Sequence, residues 1–103
     1  PVHRVVFISP IVGATDPDYT TYRSIPMLII QGTNDKTAPW SDHGRKLLEG
    51  SADVTVEFVP NAGHSPHLES ERITWQAVIG FLRDEYPVFV SDDETGTQVI
   101  ELP

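Results

Sequence analysis

Cysteine is absent from the 103 residues of this chain. The chain therefore forms no disulfide bond, and it offers neither a thiolate nucleophile nor a thiolate ligand for a metal ion. Long apolar runs are missing too: none reaches the roughly 20 residues of a membrane-spanning helix, and no signal peptide is visible. The sequence begins at Pro1 without a methionine, so we expect a processed chain or a fragment.

Basic residues are scarce. Seven Lys and Arg stand against fifteen Asp and Glu, which gives a formal net charge of −8 at pH 7. Nucleic acids and anionic membrane surfaces both require a basic patch on their partner, so this balance argues against both. No signal fixes the compartment, and a cytoplasmic location is our expectation.

The length of the chain suits one small domain. Three apolar runs rich in β-branched and aromatic residues predict strands. The first runs from Val5 to Ile8, the second from Met27 to Gln31, and the third is Val54–Val59. Runs that are apolar on both faces are typical of parallel strands covered on both sides. The sequence therefore predicts an α/β fold with about three parallel strands and flanking helices in three layers.

Two helices are predicted around the third strand. The first has Ser41 as its N-cap and ends at Gly50. The second opens at Ser70 or Glu71 and is ended by Pro87. Its apolar residues fall on one face at helical spacing: Ile73, Ala77, Val78, Phe81 and Leu82.

Two segments fit this pattern less well. Residues 11–24 contain Gly, Pro, Asp and Thr and predict a loop or a short excursion. Residues 88–103 combine an acidic, turn-rich stretch with short apolar runs, which indicates either an acidic tail or a β-hairpin. The sequence shows no internal repeat and no second domain.

Polar residues follow the second and third predicted strands at the point where each strand ends. Asp35 comes shortly after the second strand, and His64 after the third. In open α/β sheets, ligand-binding and catalytic groups collect at the carboxyl ends of the strands. If the two strands are parallel neighbours, Asp35 and His64 face one crevice, where a carboxylate fixes the tautomer of the imidazole and stabilises its protonated form.

The stretch "IPMLIIQGTNDKTAP" resembles the acid-bearing strand and turn of α/β-hydrolases, and "VEFVPNAGHSPHLESERITWQAVIGFL" resembles the family's histidine strand and last helix. "HRVVFISP" is similar to the strand that precedes the family's lid region, so the resemblance spans about residues 3–86. It implies that residues 1–87 are the C-terminal part of a hydrolase domain, with Asp35 as the triad acid and His64 as the triad base. The implied activity is hydrolysis of an ester or related small acyl substrate, without a cofactor or metal.

The chain departs from the family pattern because it contains no G-x-S-x-G nucleophile elbow. The resemblance therefore implies that this chain alone is inactive and that its partner is a missing N-terminal half. Residues 11–24 stand in the lid region and are short, which suggests an open site. The alternative is a non-catalytic, hydrolase-like remnant that serves as a protein-interaction domain.

The strand from Val5 to Ile8 would have an open edge without the nucleophile-bearing strand. Such an edge invites self-association, pairing with another chain, or coverage by "QVIEL" from the tail.

Three further residues are candidates for lining a substrate pocket: Trp40, Ser65 and Pro10. The spacing of His64, His67 and Glu69 also permits a metal site, although it lies in a turn stiffened by Pro66 instead of at the i, i+4 helical spacing of zinc sites. We expect His67 and Glu69 to bond locally where the helix begins.

Overall fold

The computed structural model describes residues 2–12, 19–82, 89–92 and 97–102. Its strands form one sheet of five, in the order β3-β2-β1-β5-β4. The bounds are Arg4–Ile8 for β1, Met27–Gly32 for β2, Val54–Val59 for β3, Phe89–Asp92 for β4 and Gln98–Leu102 for β5. β1, β2 and β3 run parallel, with Val5 opposite Met27 and Met27 opposite Val54. The predicted α/β fold with three parallel strands is confirmed.

Both faces of β1 and β2 are covered, which explains their continuous apolar runs, whereas β3 at the edge of the sheet leaves Thr55 and Phe58 exposed. The helices are α1 (Gly44–Glu49), α2 (Pro66–Glu69) and α3 (Glu71–Leu82), with a 3-10 turn at Thr20–Tyr22. On one face, Leu28 and Ile30 pack with Val78 of α3; on the other, Ile29 packs with Leu47 of α1. Burying each such side chain contributes about 2 kcal/mol to folding.

The start of α1 differs from the prediction. Ser41 is not its N-cap: the helix begins at Gly44, and His43 occupies the cap position without a side-chain cap bond. The amides of Asp42 and His43 donate instead to the carbonyl of Pro39, at 3.1 Å each. This preceding turn already satisfies the backbone groups that a serine cap would serve.

The buried row of α3 also differs from the prediction. Thr74, Val78 and Leu82 are its buried residues, whereas Ile73 is 43% exposed. Thr74 is tolerated inside because its hydroxyl donates to the carbonyl of Pro66 at 2.9 Å, which joins α3 to the unpredicted helix α2. Pro87, expected to end the helix, lies outside the described residues.

The tail strand β5 runs antiparallel along the whole of β1, from Arg4 opposite Leu102 to Ile8 opposite Gln98. β4 in turn pairs antiparallel with β5. Three outcomes were expected for the open edge of β1: self-association, pairing with another chain, or coverage by the tail. The structure shows coverage by the chain's own tail. Of the described helices, none is long and apolar enough to cross a membrane.

Candidate active site

Asp35 and His64 meet at the carboxyl ends of β2 and β3. Nδ1 of His64 lies 2.9 Å from Oδ2 of Asp35. The Asp35 side chain is fully buried, and 19% of the His64 side chain is exposed. A carboxylate accepts hydrogen bonds and donates none, so a neutral His64 carries its proton on Nδ1 and its lone pair on Nε2. The expected proximity of the two side chains is therefore observed.

The other oxygen of Asp35 is held by the turn that follows it. Oδ1 accepts hydrogen bonds from the amides of Thr37 at 3.0 Å and Ala38 at 2.8 Å. Bonds of this kind, from amides to a charged acceptor, are stronger than those between neutral groups. They fix the plane of the carboxylate so that Oδ2 is directed at His64.

The side chain of Gln31 stabilises the turn that carries Asp35 through hydrogen bonds to its backbone. It is 1% exposed, and its Nε2 donates to the carbonyls of Gly32 and Ala38, at 3.2 Å each. Its contact with Ala38 steadies the residue whose amide donates to Asp35. Our sequence reasoning gave Gln31 no role, although a polar residue closing an otherwise apolar strand was a detectable signal.

Hydrogen bonds join the turn after β2 that carries Asp35 (the acid turn) to the turn after β3 that carries His64 (the histidine turn). The amide of Asn34 donates to the carbonyl of Ala62 at 2.9 Å, and the amide of Asn61 donates to the hydroxyl of Thr33 at 2.8 Å. Asn61 has a left-handed φ of 63°, a conformation that asparagine tolerates better than most residues. These bonds set the distance between the two turns independently of the Asp35 and His64 side chains.

Gly32 makes this close approach possible. A Cβ at this position would lie 2.3 Å from the carbonyl oxygens of both Ala62 and Gly63, closer than real Cβ contacts. The histidine turn therefore rests directly on the end of β2, and any side chain there would push His64 away from Asp35.

The three pocket candidates fall in different surroundings. Trp40 stacks edge-on against Phe58, with 5.0 Å between ring centroids, and covers Gly44. Ser65 directly follows His64 and is half-buried at the start of α2, and Pro10 is buried beyond the end of β1. The structure thus brings Ser65 next to the Asp35–His64 pair and gives Trp40 a packing role beside α1.

Ser9 is the hydroxyl at the carboxyl end of the central strand β1. It has a left-handed φ of 60°, is fully buried, and its Oγ has no hydrogen-bond partner, so it is not bonded to His64. The next residue, Pro10, has no amide hydrogen, whereas the oxyanion hole of an elbow uses the amide that follows the nucleophile. Ser9 therefore does not provide a nucleophile elbow.

His64, His67 and Glu69, the residues of the H-x-x-H-x-E spacing, do not form a metal site. Within the described ranges, no group of three His, Asp or Glu side chains is arranged to hold a metal ion. Glu69 instead accepts backbone amide bonds beside His64, as expected for local bonding. Sequence reasoning did not foresee which amides these would be. His67 does not follow this expectation at Nδ1, which is buried without a hydrogen-bond partner.

A cleft of about 460 Å³ lies elsewhere in the molecule, between α3 and the sheet. Its lining includes Arg4, Pro26 and Asp53, which lie at or just before the amino ends of β1, β2 and β3. It therefore opens at the opposite end of the sheet from Asp35 and His64, and we do not assign it to their chemistry.

No protein-family model and no curated protein matches this chain. Solved structures do match, over part of its length. A bromoperoxidase from Bacillus anthracis is 28% identical with a TM-score of 0.56, over 58% of this chain and 22% of that protein. CarC, a serine hydrolase involved in carbazole degradation, is 28% identical with a TM-score of 0.58, over 67% of this chain and 26% of its own.

A third match is MGS-M2, an α/β hydrolase enzyme from a Medee basin deep-sea metagenome library. It is 23% identical with a TM-score of 0.56, over 68% of this chain and 25% of that protein, and at this identity the likeness concerns the fold alone. The chain spans about a quarter of the length of the structures it matches.

Proposed function

We propose that this chain, which is related in fold to the α/β-hydrolases, supplies the acid and the histidine of a serine-type hydrolase that acts on an ester or a related acyl substrate. The observation that carries the proposal is the 2.9 Å bond between Nδ1 of His64 and the buried carboxylate of Asp35. The nucleophile and the oxyanion-hole amides come from a segment outside residues 1–103, because the sequence has no G-x-S-x-G elbow.

In this reaction His64 acts first as a base and then as an acid. Nε2 takes the proton of the serine hydroxyl while the serine oxygen bonds to the carbonyl carbon of the substrate. The same proton passes from Nε2 to the leaving alkoxide as the ester C–O bond breaks. Water then repeats the sequence on the acyl-enzyme, with its proton passing through Nε2 back to the serine.

Asp35 serves this cycle by its charge and its fixed position. It holds Nδ1–H, so that the lone pair of Nε2 faces the reacting groups, and it stabilises the imidazolium that forms in each half-reaction. The two amides on Oδ1 keep the carboxylate in place throughout. Full burial of its side chain strengthens both effects, since water screens the charge less there.

The chain alone is expected to be inactive on an activated ester such as p-nitrophenyl acetate. A lone imidazole without nucleophile and oxyanion amides gives only weak general catalysis. Turnover by this chain alone that disappears in His64→Ala and is blocked by a serine-directed phosphonate would contradict the proposal.

The decisive experiment combines this chain with the coding sequence upstream of Pro1, where a G-x-S-x-G elbow is expected. The longer protein should hydrolyse the ester, and His64→Ala should lower kcat by about a thousandfold or more. His3→Ala is the matched control: His3 is exposed just before β1, at the other end of the sheet, and its loss should leave kcat unchanged. Equal losses in the two variants would refute the role of His64.

One observation favours the second candidate function, a non-catalytic remnant that acts as a protein-interaction domain. The chain closes the edge of β1 with its own strand β5, so the sheet does not depend on a further strand at that edge. In that case a partner would pair with an outer strand, β3 or β4. An upstream sequence without a nucleophile elbow would favour this function over the first.

A further inference from the structure

The carboxylate of Glu69 accepts hydrogen bonds from the backbone on both sides of His64. The amide nitrogen of Gly63 lies 3.1 Å from Oε1 and 3.2 Å from Oε2, and that of Ser65 lies 3.1 Å from Oε2. A single side chain thus holds the two residues that flank the one carrying the imidazole. These amides donate to a charged acceptor, which makes stronger bonds than a neutral one.

The helix that carries Glu69 is itself firmly placed. α2 has only four residues, but the carbonyl of its first residue, Pro66, accepts bonds from the hydroxyl of Thr74 at 2.9 Å and the amide of Ser70 at 2.8 Å. Thr74 is fully buried in the row by which α3 packs on the sheet. The position of Glu69 is therefore tied to the core.

The two halves of the histidine turn have separate supports. Its first half is bonded to the acid turn, where the carbonyl of Ala62 accepts the amide of Asn34. Its second half is bonded to Glu69. The direction of the His64 side chain depends on the peptide groups on either side of its Cα, and the carboxylate lies so close over Gly63 that a Cβ there would be 3.3 Å from Oε1.

We propose that Glu69 is a positioning residue for His64. By holding the Gly63 and Ser65 amides, it fixes the backbone of His64 so that Nδ1 stays on Oδ2 of Asp35. The importance of this arrangement for catalysis rests on the function proposed above, whereas the positioning itself does not. Glu69 acts through the backbone and is assigned no part in the chemistry.

Helix capping alone does not account for these contacts. A glutamate that reaches back to the amide of the N-cap residue, here Ser65, satisfies a free helix donor, as in a capping box. The amide of Gly63, however, belongs to the turn two residues before the N-cap, and it bonds to both carboxylate oxygens. This second set of bonds acts on the histidine turn.

The test compares Glu69→Ala and Glu69→Gln in the full chain by NMR of the His64 imidazole nitrogens. The wild-type imidazole should show the tautomer with the proton on Nδ1. In Glu69→Ala we expect the ratio of this tautomer to the other to fall about tenfold. The reason is that the backbone of His64 is no longer fixed, which weakens the hydrogen bond from Nδ1 to the charged carboxylate of Asp35. Glu69→Gln keeps one acceptor oxygen and should lie between the two.

Glu71→Ala is the matched control, since Glu71 is an exposed glutamate in the first turn of α3, two residues further along the chain. It should leave the His64 tautomer unchanged. An unchanged tautomer in both Glu69 variants, with faster hydrogen exchange at the Ser65 amide alone, would reduce Glu69 to a helix cap and overturn the proposal. If Glu69→Ala fails to fold, the His64 tautomer ratio of Glu69→Gln is compared with that of Glu71→Ala. A lower ratio in Glu69→Gln supports the proposal, and equal ratios overturn it.

This measurement uses no nucleophile and no substrate. A failed hydrolase assay would therefore leave the tautomer result standing. Conversely, an unchanged tautomer would overturn the role of Glu69 without bearing on Asp35 and His64.

Discussion

Replacing Gly32 with alanine should move the turn that carries Asp35 away from the turn that carries His64. The new Cβ would lie 2.3 Å from two backbone carbonyl oxygens of the histidine turn, more than 1 Å inside the 3.4 Å at which ordinary contact begins. These are backbone atoms, so no side-chain rotation can relieve the contact. Either the end of β2 or the histidine turn must move, and both movements strain the bond between Asp35 and His64.

The expected cost follows from this geometry. Overpacking of a well-packed region typically costs 1–3 kcal/mol, and the involvement of backbone atoms places Gly32→Ala near the upper end, at about 3 kcal/mol. For a domain of this size, such a loss lowers the melting temperature by about 15 °C. It is a large share of the roughly 5–15 kcal/mol that holds a typical domain together.

Gly80→Ala provides the matched control, because a Cβ at Gly80 would meet nothing within 4 Å and the residue lies inside α3. The same substitution there should stabilise the chain by about 1 kcal/mol through helix propensity. Urea unfolding followed by tryptophan fluorescence measures both free energies, and NMR of the His64 ring reports the bond to Asp35. If Gly32→Ala unfolds within about 0.5 kcal/mol of the wild type, the close approach is not the constraint described here.

Three further predictions follow from the contacts. Asp35→Asn should lower the free energy of unfolding, measured with urea, by about 2 kcal/mol. It should also remove the preference of His64 for the proton on Nδ1, and an unchanged tautomer in imidazole NMR would contradict this prediction. The hydroxyl of Tyr22 donates to Oε2 of Glu101 at 3.2 Å. Burial and this carboxylate raise the pKa of Tyr22, so the neutral phenol is favoured in the folded state. This contribution to stability is intact below the ordinary tyrosine pKa of about 10 and is lost as the pH rises through the folded-state value. Glu101→Gln should lower the Tyr22 pKa in a titration of tyrosinate absorbance, and no change would refute the contact. Deleting residues 88–103 should open the edge of β1 and produce oligomers in sedimentation; a monomer as stable as the full chain would argue against this.

The sequence by itself determined the parallel core and the place of the acid and histidine. The apolar runs of β1 and β2, which end at Ile8 and Gln31, can be buried on both faces only between layers of helix, and that pattern is local in the chain. Because parallel strands bring their carboxyl ends to one edge, the proximity of Asp35 and His64 followed from their positions alone.

Other features depend on partners distant in sequence. The choice of Thr74 over Ile73 for the buried row of α3 was decided by a hydroxyl bond to Pro66, eight residues back. Hydrophobic periodicity favours Ile73, since it counts the apolar side chain and ignores the hydrogen bond that makes a buried threonine acceptable. The start of α1 was missed for a similar reason: the carbonyl of Pro39 had already taken the amides that Ser41 was expected to serve.

Only the tertiary structure decided what supports the Asp35–His64 pair and what covers β1. Gln31 reaches a carbonyl seven residues away, and Glu69 reaches back to amides on both sides of His64. β5 pairs with β1 from the far end of the chain, with Ile8 opposite Gln98. Such bonds leave little periodic trace in the sequence, because a donor needs only one acceptor at the right point in space, and the fold as a whole determines that point.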